Sequence, residues 1–177
     1  MSFNSSRISE KYHEIKRVLV TGGAGFIGGA VIRKLLQESN VKVFNLDKMG
    51  YSSDLTSIKK VLRKLGSKAD KRYKFLKVNL TNSQDLSSAI KEANPDLIIH
   101  LAAESHVDRS IDGPKVFIDS NVIGTYNLLD VVYTHYKNIE PSRKRNFRFH
   151  HVSTDEVFGS LGSEGSFNFS KYRSIPS

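Results

Sequence analysis

Thr21-Gly22-Gly23-Ala24-Gly25-Phe26-Ile27-Gly28 constrains the fold more than any other stretch of the chain. It follows Arg17-Val18-Leu19-Val20-Thr21, a short apolar run that reads as a buried strand. It opens a run from Phe26 to about Glu38, with Ile27, Ala30, Val31 and Leu35 near one helical face. Gly22, Gly25 and Gly28 give GxxGxxG, and Gly23, Gly25 and Gly28 also fit GxGxxG. Such a loop lets backbone approach a pyrophosphate where a Cβ would collide. The helix N-terminus adds N–H donors and the positive end of its dipole. A glycine turn alone is a weak signal, but here an acid follows. Asp47 closes the next apolar run, about 20 residues past the loop, where a carboxylate holds ribose hydroxyls. It repels a 2′-phosphate, which favours NAD over NADP; Lys48 beside it weakens that preference.

The rest of the chain continues the alternation. Residues 41–46 read as the second strand, 54–65 as a helix and 73–80 as the third strand. Ser83 is a candidate N-cap for a helix through Leu86, Ile90 and Ala93, which Asn94-Pro95 stops. Residues 96–101 form a fourth strand, apolar on both faces. Pro114 opens a long helix to about residue 136, and 146–153 is the fifth strand. This predicts an α/β class fold, a Rossmann-type doubly wound parallel sheet, truncated before a substrate domain is complete. The expected organisation is an N-terminal extension over 1–15, a dinucleotide-binding domain over 16–159, and the start of an active-site region over 160–177.

Ligands of open parallel sheets sit at the carboxyl ends of the strands. That places Leu101-Ala102-Ala103-Glu104-Ser105 along the cofactor, the small alanines allowing a flat ligand to lie close. It places Ser153-Thr154-Asp155-Glu156-Val157-Phe158-Gly159 in the same cleft. Two adjacent carboxylates there suit paired acid and base work; a turn or a helix first turn is the bland reading. His106 reads as a structural loop histidine before a catalytic one.

The chain has no cysteine, which excludes disulfides and thiolate chemistry and suits a reducing cytoplasm. No apolar run reaches the ~20 residues of a membrane span, so no membrane partner is expected. Net charge is +9, concentrated around Lys59–Lys77 and Arg143–Arg148. These runs read as solvated faces before a nucleic-acid surface, and no nucleic-acid partner is expected.

VLVTGGAGFIGGAVIR, NLDKMGYSSDL, PDLIIHLAAESHVDRSI, FIDSNVIGTYNLLD and FHHVSTDEVFGSLG together resemble the extended short-chain dehydrogenase/reductase family, in particular its nucleotide-sugar 4,6-dehydratases. The resemblance implies NAD as cofactor, held at Phe26, Ile27, Asp47, Lys48, Met49, Gly50, Asn79, Leu80, Leu101, Ala102, Ala103, Glu104, Ser105 and Ser120. It implies substrate contacts at Ser105 and Thr154, and catalysis by Thr154, Asp155 as acid and Glu156 as base. Three positions depart from the family pattern: Gly50 and Ser120 where threonine is common, and Asn79 for a common aspartate.

The implied reaction is a lyase reaction on a nucleotide sugar, dTDP-glucose, giving a 4-keto-6-deoxy sugar. The family oxidises C4 with a Tyr-x-x-x-Lys pair. Tyr12/Lys16, Tyr73/Lys77 and Tyr133/Lys137 have the spacing but not the place. KYRSIPS at the end resembles the segment just ahead of the family pair. The expectation is therefore a chain that binds NAD weakly or not at all, lacks dehydratase activity, and dimerises doubtfully although the full-length enzyme is a homodimer. Rival readings are a UDP-sugar epimerase, oxidoreductase or decarboxylase, a non-catalytic NAD-binding remnant, and a basic nucleic-acid binder.

Overall fold

The computed structural model describes residues 15–106, 111, 113–154 and 157. In chain order the elements are β1 (Arg17–Thr21), α1 (Phe26–Glu38), β2 (Lys42–Asp47), α2 (Thr56–Leu65), a 3₁₀ turn (Gly66–Lys68), α3 (Ala69–Arg72) and β3 (Tyr73–Lys77). There follow α4 (Ser83–Ala93), β4 (Leu97–His100), α5 (Pro114–Phe117), a π-helical segment (Ile118–Ile123), α6 (Gly124–Asn138), α7 (Pro141–Lys144) and β5 (Arg148–His151).

The strands form one five-stranded parallel sheet in the order β3-β2-β1-β4-β5. Alternation along each strand sends side chains to opposite faces. Val18, Val20 and Val43 pack under Ile32 and Leu36 of α1 and Ile58 and Val61 of α2. Leu19, Phe44, Leu46 and Ile98 face Leu86 and Ile90 of α4 and Leu128 and Val132 of α6. Each such side chain contributes about 1.5–3 kcal/mol on burial. The chain winds β1 to β3 on one face, then crosses beyond β1 and winds β4 and β5 on the other. The expected doubly wound sheet is therefore present. Its strand order reverses between β1 and β4, and a crevice opens at that point.

Four of the differences from the sequence reading have a visible cause. β3 ends at Lys77, not residue 80, because Val78 N–H makes a last bond to Asp47 O and Asn79 Oδ1 accepts from Thr81 N–H to turn the chain. The cap of α4 is Asn82, whose side chain accepts from Gln84 and Asp85 N–H; Ser83 is already helical. β5 starts at Arg148 because Asn146 and Phe147 N–H both return to Arg143 O. The helix after Pro114 is interrupted: Gly124 N–H bonds Asp119 O, five residues back, and one extra residue bulges out.

Candidate cofactor-binding site

The segments leaving β1, β2, β3 and β4 share one edge of the sheet and enclose a cavity of about 410 Å³. The glycine loop is its floor. Gly22 has φ +68, and a Cβ there would meet the Ala102 backbone at 2.7 Å. A Cβ at Gly28 would meet Gly22 O at 2.2 Å, so helix and strand close on each other only through glycine. Gly23 is different in kind. Its missing Cβ points away from the cavity, toward Asn45 Oδ1 at 2.1 Å and Ile32 Cδ1 at 2.5 Å. The glycines of the loop that line the cavity are thus Gly22, Gly25 and Gly28.

Asp47 sits at the end of β2 and is 7% exposed. Its Oδ2 accepts from Ala24 N–H at 3.0 Å, and its Oδ1 accepts from Met49 N–H at 2.7 Å and Ser53 Oγ at 3.1 Å. A buried carboxylate needs such donors. Asp47 is therefore both a wall of the cavity and the brace that joins the glycine loop to the 48–53 turn. Met49 takes a left-handed φ of 61, the turn that brings its N–H onto the carboxylate.

The exit of β4 is fixed by a buried hydrogen-bond relay. Thr21 Oγ1 accepts from Leu101 and Ala102 N–H at 3.2 and 3.3 Å. Its own proton is then free to go to His100 Nδ1, 2.6 Å away. That assignment leaves His100 Nε2 as the N–H, donating to Thr125 Oγ1 at 3.0 Å. His100 is 1% exposed, and burial, with His151 nearby, pushes its pKa down to about 4. The neutral ring that this relay requires is the form the site favours.

The helix from Pro114 to Asn138 pins two exits. Asn127 Nδ2 donates to Leu80 O at 3.0 Å, and Asn121 exchanges two bonds with the Glu104 backbone, at 2.8 and 2.9 Å. The π bulge sets Asn121 beside Ser120, which lines the cavity.

Gly22, Gly25, Phe26, Ile27, Gly28, Asp47, Lys48, Gly50, Asn79, Leu80, Leu101, Ala102, Ala103, Glu104, Ser105 and Ser120 all line this one cavity. Met49 does not; it contributes backbone. Thr154 lies three residues past His151, beyond the Val152 N–H to His100 O bond that ends the β4–β5 ladder, and is exposed. Asp155 and Glu156 lie outside the described residues. The sequence reading missed Leu46, Tyr51, Ser52, Ser53 and Val78, which also line the cavity, and it left His106 as structural. Ser53 was findable: a hydroxyl six residues past the acid, in a glycine-containing turn, is a natural donor to it. Tyr133/Lys137 is unsuited to the cavity. Lys137 Nζ lies 4.5 Å over the Tyr133 ring, and His135 beside them approaches Pro95 O, ahead of β4. Among the described residues no cluster could hold a metal ion, and no helix is long and apolar enough to cross a membrane.

A family model described as GDP-mannose 4,6 dehydratase matches residues 19–170. A dTDP-glucose 4,6-dehydratase of Salmonella typhimurium is 43% identical over 145 residues, 82% of this chain and 38% of that one. The chain thus spans well under half the length of the curated relatives it matches. The crystal structure of a dTDP-glucose 4,6-dehydratase from Streptomyces venezuelae with NAD and TYD bound is 36% identical, with TM-score 0.68 over 85% of this chain and 43% of that one. The Bacillus anthracis dTDP-glucose 4,6-dehydratase in complex with NAD is also 36% identical, with TM-score 0.66 over 86% and 42%. By the match across residues 19–170, and by a glycine floor and acid wall that agree with it, this chain belongs to the GDP-mannose 4,6 dehydratase family.

Proposed function

We propose that this chain is the NAD-binding half of a nucleotide-sugar 4,6-dehydratase acting on dTDP-glucose in the cytoplasm. One observation carries the reading: the Gly22 floor, the Asp47 wall and the Ala102-Ala103 roof enclose one cavity from the chain's own residues. The fit to a dinucleotide is tested by the cradle itself. The floor is closed to any side chain at Gly22 or Gly28, and among the described residues Asp47 Oδ2 has a single donor, leaving it a lone pair for a sugar hydroxyl. The organisation follows: an extension over 1–15, the NAD domain over 16–159, and the first part of an active-site region over 160–177.

NAD⁺, which the glycine floor and Asp47 would hold, would supply reversible hydride acceptance, the chemistry that oxidation at C4 and reduction at C6 of the glucose require. The 4-ketone acidifies the C5 hydrogen. Glu156 takes the C5 proton, and Asp155 donates a proton to the departing C6 hydroxyl, so water leaves and charge balances. Thr154 and Ser105 hold the sugar. The Tyr-x-x-x-Lys pair that starts C4 oxidation in the family has no counterpart at this cavity among the described residues.

In the longer enzyme we propose a homodimer. Tyr126, Leu129 and Tyr133, at spacings of three and four on α6, are 67%, 47% and 60% exposed, a stripe suited to helix packing. For this chain alone dimerisation is expected to be weak.

Ligand-observed NMR reads dissociation constants into the millimolar range. The expected result is weak NAD⁺ binding, lost in Asp47→Ala, and no 4-keto-6-deoxy product from dTDP-glucose. Absence of NAD⁺ binding at millimolar concentration overturns the cofactor reading. Product formation by the 177-residue chain overturns the requirement for the Tyr/Lys pair.

A further inference from the structure

Lys48 follows the acid at the end of β2, and Glu104 lies on the exit of β4. Their strands flank β1, yet Lys48 Nζ and Glu104 Oε1 meet at 2.7 Å. Both residues line the cavity. Each is held from behind. Lys48 is followed by Met49, whose N–H is fixed on Asp47, and the Glu104 backbone is bonded on both its N–H and its C=O by Asn121. Glu104 is the more enclosed partner, its side chain 16% exposed against 36% for Lys48.

We propose that Glu104 is a specificity-determining residue for the dinucleotide, keeping NADP out by neutralising Lys48. The inference rests on the dinucleotide reading above. An acid at the end of β2 repels a 2′-phosphate, but a free lysine next to it is a mobile point charge that attracts one. Asp47, Lys48 and Glu104 together carry a formal charge of −1. Without the Glu104 charge the group is neutral and the ammonium is unpaired. The phosphate, with a charge near −2, then feels the difference about twice over. At the partly screened dielectric of a cleft, this amounts to about tenfold in relative affinity. Lys48, read from sequence as a weakness in the preference for NAD, is turned by its partner into a neutral element of it.

The test uses NAD⁺ and NADP⁺ titrated by ligand-observed NMR against the unmodified chain, Glu104→Gln, Lys48→Met and the double variant, each checked for folding by its thermal transition. Glu104→Gln is expected to shift the NADP⁺-to-NAD⁺ affinity ratio toward NADP⁺ by about tenfold. The shift disappears in the double variant. Lys48→Met alone does not move the ratio toward NADP⁺. An unchanged ratio in Glu104→Gln with NAD⁺ binding intact overturns the proposal, as does an equal shift in the double variant. If Glu104→Gln fails to fold, a Lys48→Met ratio shifted toward NADP⁺ overturns it independently. Failure of the unmodified chain to bind either dinucleotide defeats the dinucleotide reading itself.

Discussion

β2 and β5 lie in the same sheet and are built in opposite ways. Five of the six residues of β2 are buried, whereas none of the four residues of β5 is. Around β2, the glycine loop, Asp47, Ser53 and the two apolar clusters satisfy one another within the chain. Around β5 and α6, Tyr126, Leu129, Tyr133 and Val152 show large apolar area to solvent. The cofactor half of the molecule specifies its own geometry. The β5 side is a surface whose apolar groups find no cover among the described residues. The residues that enclose the cavity are therefore held by contacts within the chain, whereas the β5 side is not covered by any described residue.

The strongest way to break this contrast is to disturb the floor of the cleft. In Gly22→Ala the new Cβ enters the Ala102 backbone at 2.7 Å, at a φ of +68 that L residues avoid. Left-handed strain and the backbone clash add to a destabilisation of about 4 kcal/mol. Gly66 is the control. It also has positive φ, +57, with ψ −132, but its Cβ direction is open, so Gly66→Ala costs about 2 kcal/mol, the backbone strain alone. Urea unfolding of both variants measures the difference. Equal losses would mean that the glycine floor is not held by β4 as described.

How far the sequence reached follows the same division. The glycine loop, Asp47 and the five strands were readable because each is set by local rules: short apolar runs bounded by turn residues, glycine where backbone must approach, an acid at a strand end. The end of β3, the Asn82 cap and the π segment were not, because each turns on which of several neighbouring polar groups takes a short-range hydrogen bond, and apolar periodicity does not distinguish them. Asp47 was read as a ligand for ribose; its role as a brace depends on Ala24 and Ser53 reaching it in space. The Lys48–Glu104 pair joins residues far apart in the chain and had no local signature. For Asp155 and Glu156, only the resemblance speaks.

The second test falls on the seam between the two regions, where His100 links Thr21 of β1 to Thr125 of α6. Its pKa falls from 6.5 to about 4 on folding. The unfolded chain therefore binds a proton that the folded one refuses between those values. The stabilisation is complete above pH 6.5 and is lost as pH falls toward 4, by about 3 kcal/mol. A protonated ring would donate from both nitrogens, leaving the Thr21 hydroxyl proton without its acceptor. Unfolding free energy measured from pH 7.5 to 4.5 should drop in the native chain. In His100→Asn, which has no titrating ring, that part of the slope should vanish. An unchanged slope would place the acid sensitivity elsewhere.

The smallest effect is expected on the exposed stripe, and its smallness is the point. Leu128 and Leu129 are neighbours on α6, yet Leu128 is 0% exposed in the core and Leu129 47% exposed. Leu129→Gln keeps the side-chain length and good helix propensity while removing apolar surface from solvent. Paired with Tyr126→Gln, it should change stability by less than about 0.5 kcal/mol at low protein concentration. If the stripe packs only against another surface, the pair should also reduce concentration-dependent association, read by sedimentation velocity. A loss above about 1 kcal/mol in the dilute monomer would show that these side chains are already covered within the chain, and the contrast between the two regions would fail.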